Sequence, residues 1–288
     1  SFKKYQYTKI SVCQKKHRDK LRYQQKRELN MINKISSKES SLFKYAKKLI
    51  SKSNFRKREK KFIVEGFREI QHCKNSNFTI DQIFVLEDKL KSLCIKDLKV
   101  NLITRELIEQ IIYRESEGIF AIVNYKTSKI SDLNIEKDDF FLVLQNPEKP
   151  GNIGAIMRTF EACGFKNIII TDSHTEIYNP NTIRASLGSI FSLNIFQLTA
   201  TEAINFLKKN NFKIYGAHIE SSIIYKDVDY NKRCALIMGP EKSKINDQLL
   251  SKCDNLINIP MFGNVDSLNL SVSTGIILYE AINQRKFS

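Results

Sequence analysis

Residues 139–288 alternate apolar, strand-like segments with helix-like segments, and this alternation restricts the fold more than any other feature of the chain. The segments 140–145 and 234–238 are continuous apolar runs rather than alternating ones. Such strands are buried on both faces, and their alternation with helices is typical of a mostly parallel sheet covered by helices. We therefore predict an α/β domain over 139–288.

Three strand–loop–helix junctions in this domain have unusual loops, at 146–165, 236–247 and 256–280. In the first, Asn152 sits where a helix would begin, which is a favourable cap position. Arg158 lies six residues further on in an otherwise apolar helix. Because burying an unpaired arginine is costly, Arg158 must have a partner or face a site. A helix cap with a structural ion pair would explain this junction equally well.

The second and third junctions add a glycine, a carboxylate and neutral polar groups. Gly239 ends a buried strand, where a glycine lets a ligand approach the backbone closely, and Glu241 follows it. Ser267 and Asn269 supply hydrogen-bonding groups at the start of an apolar helix. A plain turn remains an alternative for the second junction. Ligands bind beyond the carboxyl ends of strands in such sheets, so three such loops predict one composite site.

The positive charge of the chain is concentrated near its amino terminus. The formal net charge is +16, and residues 1–61 hold 21 Lys or Arg against 4 Asp or Glu. Such a block indicates a polyanionic partner, most commonly nucleic acid, although a solvated arm without a role is the alternative. We expect residues 1–40 to be a basic, flexible extension. A natural start at Met31 would make residues 1–30 an upstream addition.

Residues 41–130 are predicted to form a second, smaller α/β domain, joined to the first by a polar linker. Helical spacing in 42–49 and apolar segments at 62–64, 80–86 and 100–103 support this prediction. A basic loop is expected at 54–61. Five of its cations are predicted to bind RNA backbone: Arg56, Lys57, Arg58, Lys60 and Lys61.

Several classes of protein are disfavoured by composition. No apolar run approaches the length of a membrane span, and no signal peptide is recognisable. The six cysteines and four histidines lack metal-ligand or redox spacing, so we expect reduced thiols, no metal and a cytoplasmic location. His174 and His218 have no obvious partners and are expected at the surface or in the core. Phosphate-loop and dinucleotide-binding fingerprints are missing from the sequence.

Taken in order, the three junctions resemble the motifs of SpoU-type (TrmH-like) RNA 2′-O-ribose methyltransferases of the SPOUT superfamily. The first motif, approximately N-x-G-a-i-x-R, corresponds to 152–158, and the third, I-P-M-x-G-x-x-x-S-L-N-V-S-V, corresponds to 259–272. The second motif usually has glycines after its glutamate, where this chain has Lys242 and Lys244. Residues 41–130 are more loosely similar to the ribosomal-protein L30e-like substrate-binding domain of many members.

The resemblance implies a deep trefoil knot in the carboxyl-terminal domain, S-adenosylmethionine as the methyl donor and a homodimer formed through that domain. Three positions match the family's cofactor-binding residues, Gly239, Ile259 and Leu268, and the nearby Met261 is expected to contribute to the same site. Five match its catalytic residues: Asn152, Arg158, Glu241, Ser267 and Asn269. Arg158 would orient the substrate and stabilise charge, because a guanidinium is a very poor base.

The implied reaction is methyl transfer from S-adenosylmethionine to a ribose 2′-hydroxyl in RNA, without a metal. The two-domain layout favours 23S-type ribosomal RNA. The alternatives are a transfer-RNA ribose methyltransferase and a catalytically inactive RNA-binding member of the same fold. The target nucleotide and the effect of Lys242 and Lys244 on cofactor binding remain open at this point.

Overall fold

The structure is a computed structural model that describes residues 32–92, 98–113, 117–241 and 243–286. Within these residues the chain forms a five-stranded and a six-stranded sheet, each with its own helices. No helix in the described part of the chain is long and apolar enough to cross a membrane.

The first sheet is mixed and has the strand order β1-β4-β3-β5-β2. Strands β1, β4 and β3 are parallel, whereas β3, β5 and β2 pair in antiparallel fashion. Its strands are β1 (Asn33–Ile35), β2 (Lys61–Glu65), β3 (Ile80–Val85), β4 (Lys99–Ile103) and β5 (Ile119–Asn124). Its helices are α1 (Ser41–Ser51), α2 (Ser53–Glu59), α3 (Phe67–Asn75) and α4 (Arg105–Ile108).

The second sheet is entirely parallel, with the strand order β11-β9-β10-β6-β7-β8, so the prediction of a mostly parallel α/β fold is confirmed. Its strands are β6 (Phe140–Gln145), β7 (Asn167–Thr171), β8 (Asn194–Leu198), β9 (Lys213–Ala217), β10 (Cys234–Met238) and β11 (Asn255–Ile257). Its helices are α5 (Pro150–Ala162), α6 (Pro180–Ser186), α7 (Ala200–Lys209), α8 (Asp247–Leu250) and α9 (Leu270–Lys286).

Both faces of the parallel sheet are buried, which explains its continuous apolar strands. Along β6, Leu142 belongs to a core that includes Met157 of α5, whereas Val143 belongs to a core on the opposite face with Leu207 of α7. Because successive side chains of a strand point to opposite faces, a strand covered on both sides has no position for an exposed polar residue.

Two local predictions near the amino terminus are wrong. Residues 33–35 were expected in a flexible extension, but they form β1 and pair with 101–103. The buried side chain of Ile35, 2% exposed, supplies the hydrophobic anchor for this short edge strand. The basic loop expected at 54–61 is largely helix α2. The remainder of the expected extension, 1–31, lies outside the described residues.

One continuous hydrophobic core joins the two sheets. It includes Phe62 of β2 and Tyr178 of the segment between β7 and α6, and these rings stack at 4.3 Å with an interplanar angle of 8°. Phe78 meets the edges of both rings at 88° and 85°. Phe191 stacks on Phe62 at 19° and meets Phe78 at 74°. Aromatic contacts of this kind contribute beyond the area they bury, so the junction between the sheets is a packed interface.

Candidate active site

A cavity of about 550 Å³ opens at the carboxyl ends of β9, β10 and β11, beside the start of α9. Parallel strands place their carboxyl ends at one edge of a sheet, so the loops that follow them converge there. Seven of the nine predicted catalytic and cofactor-binding residues line the cavity: Gly239, Glu241, Ile259, Met261, Ser267, Leu268 and Asn269. The second and third junctions therefore meet at one site.

The floor of the cavity is apolar. Buried side chains of Met238, Ile257 and Ile277 lie beneath it, and the half-buried Ile259 and Leu268 form part of its wall. A lining that combines apolar side chains with polar groups is typical of sites for small organic ligands and cofactors.

Gly239 is required by packing within the loop. A Cβ atom at this position would lie 2.9 Å from Ile245 Cγ1 and 3.1 Å from Ile245 N. The sequence-based explanation, close approach of a ligand to the backbone, is therefore incomplete. The glycine also lets residues 243–245 fold back against the strand end and close one side of the cavity.

Glu241 is the centre of a polar network beside the cavity. Its carboxylate accepts hydrogen bonds from the backbone N–H groups of Glu148 at 3.0 Å and Lys149 at 3.3 Å. The side-chain Nδ2 of Asn152 donates a third bond at 3.0 Å. Partial burial by itself raises the pKa of Glu241, but these hydrogen bonds outweigh that effect and hold the pKa below its ordinary value. Glu241 is therefore an ionised acceptor at neutral pH.

Asn152 connects Glu241 to the start of α9. Its Oδ1 accepts a hydrogen bond from Asn269 Nδ2 at 3.3 Å. The cap position expected for Asn152 is wrong, because α5 begins at Pro150 and Asn152 lies inside its first turn. Proline is favourable at the first position of a helix, where its missing N–H is not needed. The side chain of Asn152 is consequently available to bridge two loops.

Asn269 and Ser267 occupy the rim of the cavity. Asn269 Oδ1 accepts from Ser271 N at 2.9 Å and from Ser271 Oγ at 2.7 Å, immediately before α9. This is the geometry of a helix cap, which satisfies a backbone donor left free at the helix start. Ser267 is exposed and lines the cavity.

Arg158 lies outside the cavity lining. Its side chain is exposed, and it has no hydrogen-bond or ion-pair partner among the described residues. The argument from the cost of burial therefore does not apply, because the side chain is not buried. Arg158 lies one turn after Gly154, where α5 packs against Thr182, Ala185 and Ser186 of α6. Arg158 is thus an unpaired surface cation among the described residues, one turn further along α5 than the contact with α6.

The five predicted RNA-binding cations have different environments. Arg56 is buried and bound to Glu176, so its assignment to RNA is wrong: a guanidinium held by a buried carboxylate cannot reach a phosphate. Lys57 and Lys60 are exposed. Arg58 is exposed, bonds Glu59 at 3.0 Å and stacks on Phe55, whereas Lys61 pairs with Asp81 at 2.7 Å.

Two cavity residues, Asn258 and Lys149, are not predicted from the sequence, and a third, His218, was expected at the surface or in the core without a role in the site. His218 follows β9, Asn258 follows β11 and Lys149 precedes α5, and all three line the cavity. Their position directly beside strand or helix ends is the signal that could have identified them. Lys244 also lines the cavity and pairs with Glu220 at 2.7 Å, whereas Lys242 lies outside the described residues.

Comparison with known proteins places the chain in a family. Residues 139–279 match the profile of the SpoU rRNA methylase family, and residues 41–121 match the MRM3-like substrate binding domain. The 23S rRNA (guanosine-2′-O-)-methyltransferase RlmB of Escherichia coli is 32% identical over 175 residues, which are 59% of this chain and 72% of RlmB. The chain belongs to the SpoU rRNA methylase family.

Other similar proteins match most of this chain, including the part before residue 139. The 23S rRNA (guanosine(2553)-2′-O)-methyltransferase RlmP of Bacillus subtilis is 24% identical over 247 residues, covering 85% of this chain and 97% of RlmP. The crystal structure of an AdoMet-bound rRNA methyltransferase from Sinorhizobium meliloti covers 90% of this chain and 100% of its own, with a TM-score of 0.82 and 24% identity. The structural similarity shows that the two proteins share a fold.

Proposed function

We propose that this SpoU-family chain transfers a methyl group from S-adenosylmethionine to a ribose 2′-hydroxyl in RNA. The observation that carries the proposal is the position of the Glu241–Asn152–Asn269 network at the mouth of the apolar cavity. An apolar pocket suits a nucleoside cofactor, and amide groups at its mouth suit a ribose.

The cavity fits the methyl donor in size and in chemistry. Its volume of about 550 Å³ lies within the range of cofactor pockets. Ile259, Met261 and Leu268 would contact the adenine through apolar side chains, while main-chain groups near Gly239 would form hydrogen bonds with its edge. The S. meliloti methyltransferase with the same fold has AdoMet bound. When bound, the cofactor supplies an electrophilic methyl group on a sulfonium.

Positioning is the principal task of the protein in this reaction, because the sulfonium is already a good leaving group. In the proposed transfer the bond between the ribose oxygen and the methyl carbon would form as the carbon–sulfur bond breaks, and the hydroxyl proton would pass to solvent. Glu241 fixes Asn152, whose amide with Asn269 and Ser267 would orient the ribose. Arg158, a surface cation, would hold an RNA phosphate and stabilise negative charge that develops on the attacking oxygen.

The RNA substrate proposed here is 23S-type ribosomal RNA. The E. coli and B. subtilis relatives are named as 23S rRNA 2′-O-methyltransferases. The match of 41–121 to a substrate-binding domain agrees with a separate RNA-binding unit. The exposed Lys57 and Lys60 of the α2 region would contact the phosphate backbone, together with Arg58. This substrate would place the protein in the cytoplasm.

The proposal includes the finer architecture of the family. We retain 41–130 as an L30e-like RNA-binding domain and 139–288 as a trefoil-knotted catalytic domain. This architecture is supported by the match of 139–279 to the SpoU rRNA methylase family. It agrees with two contacts of the last segments: Asn258, which follows β11, bridges Ile224, and Asn269 bonds Asn152 of α5. A homodimer through α9 is supported by two exposed apolar side chains, Val272 at 50% and Tyr279 at 58%.

Methyl transfer to ribosomal RNA tests the proposal directly. Purified protein, labelled S-adenosylmethionine and 23S-type RNA from a strain lacking the gene should give 2′-O-methylation at one nucleotide. Transfer RNA from the same strain serves as the competing substrate. Binding of S-adenosylmethionine without methylation of either RNA would indicate a different acceptor. No calorimetric binding at millimolar cofactor would favour the inactive RNA-binding alternative.

A further inference from the structure

A buried ion pair connects the first sheet to the catalytic domain. Arg56 of α2 donates from Nε to both carboxylate oxygens of Glu176 at 3.0 Å, and from Nη2 to Oε2 at 2.7 Å. The side chains are 3% and 5% exposed. Arg56 Nη1 donates to the carbonyl of Leu49 at 2.7 Å, which ties the guanidinium to the end of α1. The arginine is therefore held in one orientation.

Glu176 is also held by a residue that follows β5 of the first sheet. The hydroxyl of Tyr125, which follows β5, donates to Glu176 Oε1. Two residues further along the chain, Tyr178 stacks on Phe62 of β2. The segment 172–179 of the catalytic domain is thus fixed by α2, β2 and the end of β5 together.

The same segment contacts the loop that holds Glu241. Thr175 Oγ1 donates to the carbonyl of Glu148 at 2.9 Å, and the N–H of Glu148 donates to the Glu241 carboxylate at 3.0 Å. Consecutive contacts therefore run from Arg56 through the 172–179 segment to the active-site network. A shift of the first sheet relative to this segment would therefore displace the loop that bonds Glu241 at the mouth of the cavity.

We propose that Arg56 and Glu176 are positioning residues, which fix the RNA-binding domain at one distance and angle from the methyl-transfer site. This inference rests on the proposed function. Packed apolar side chains would stabilise such a junction at least as well as a buried ion pair. A bidentate arginine–carboxylate pair adds directional geometry, since its parallel hydrogen bonds form in only one arrangement. That property matters where RNA held by one domain must present a single 2′-hydroxyl to another.

The Glu176→Gln variant tests this role. It keeps the shape of the side chain but leaves Arg56 without a counter-charge. We expect kcat/KM for RNA to fall by about tenfold to 100-fold, because small misplacements of reacting groups are costly. The Kd for S-adenosylmethionine should change by less than about twofold, since the cavity lining does not include residues of the 172–179 segment.

A control variant distinguishes a positioning role from a general loss of stability. Phe84→Leu weakens a stacked pair with Phe120 in the core on the other face of the first sheet, away from the junction. It should lower the melting temperature while kcat/KM for RNA stays close to the wild-type value. An equal fall in kcat/KM in both variants would overturn the positioning role.

Arg56→Lys keeps the test decisive if Glu176→Gln does not fold. It retains the positive charge but loses the bidentate hydrogen bonds to Glu176, so a fall of about threefold or more in kcat/KM for RNA is expected. A folded Arg56→Lys protein with unchanged kcat/KM would overturn the inference. A wild-type protein that transfers no methyl group to any RNA would overturn the proposed function and this role with it. An active wild type with an equally active Glu176→Gln variant would overturn the positioning role alone.

Discussion

The side-chain amide of Asn152 donates a hydrogen bond to the carboxylate of Glu241 across 3.0 Å, although the two residues are 89 positions apart in the chain. The bond joins the first turn of α5 to the loop after β10. It leaves the other side of the amide, Oδ1, to accept from Asn269. The orientation of Asn152 is thereby determined, since a flipped amide would face Glu241 with its oxygen.

Glu241→Gln should weaken this arrangement in a pH-dependent way. Glu148 N–H bonds Oε2, whereas Lys149 N–H and Asn152 bond Oε1, so the glutamine NH₂ must replace one of these two acceptors. At least one donor would then lose its acceptor, and we expect a loss of about 1–2 kcal/mol at pH 7. In the wild type the pKa of Glu241 in the folded state lies below its ordinary value of 4.5. The stabilisation that the ionised carboxylate gives the folded protein is therefore complete above about pH 4.5, and it is lost as the pH falls through the folded-state pKa. Unfolding midpoints measured from pH 7 to pH 3 should converge for the two proteins at the acid end. A constant difference across this range would contradict the assignment.

Arg158→Ala should remove activity without removing stability. The side chain is exposed and has no hydrogen-bond or ion-pair partner in the described part of the chain, so its loss leaves folding intact. If it holds substrate charge, kcat for methyl transfer should fall by about 100-fold. Glu161→Ala, another exposed position of α5, is the matched control and should keep full activity. Full methylation by Arg158→Ala would remove this residue from the mechanism.

Gly154→Ala should destabilise the catalytic domain, whereas Gly151→Ala should not. A Cβ at Gly154 would lie 2.4 Å from the carbonyl oxygen of Thr182 and 2.6 Å from Ala185 Cβ, so α5 and α6 must separate. Overpacking of this kind typically costs about 1–3 kcal/mol. At Gly151 no atom lies within 4 Å of the added Cβ. Denaturant unfolding of the two variants checks the difference. Equal unfolding midpoints would show that α5 and α6 can move apart to accommodate the added methyl group without a loss of stability.

The double variant Lys57→Ala/Lys60→Ala should bind RNA more weakly, and the salt dependence of its binding should be smaller. Each lost phosphate contact lowers the slope of log K against log salt by about 0.7–0.9. Lys209→Ala, an exposed lysine of α7, is the control and should leave the slope unchanged. Filter binding between low and moderate salt measures both proteins. An unchanged slope in the double variant would place the RNA elsewhere on the surface.

Much of the cavity could be foreseen because its residues obey local rules. Gly239 and Glu241 follow a strand, Ser267 and Asn269 precede a helix, and parallel strands gather such loops at one edge. The bonds between them could not be foreseen. Whether Asn152 caps a helix or bridges two loops depends on the exact start of α5 at Pro150 and on the distant Glu241.

The environment of Arg56 shows the limit of local sequence patterns. Its neighbours Lys57, Arg58 and Lys60 make the segment look uniformly basic, yet Arg56 is 3% exposed. Its counter-charge, Glu176, lies 120 positions away in the other domain. Strand β1 was missed for a related reason: three residues with a single buried side chain, Ile35, carry too weak a pattern to be distinguished from a polar extension.

The 117 positions between Asn152 and Asn269 also set an order of events during synthesis. Domains fold as units while the chain emerges from the ribosome, the amino-terminal part first. Lys57 and Lys60 are made early, whereas one wall of the cavity, 257–273, is made later. The capacity to hold a methyl donor therefore arises well after the capacity to attract RNA. For a protein whose proposed substrate is ribosomal RNA, the cationic surface would therefore be available to RNA before the cavity is complete.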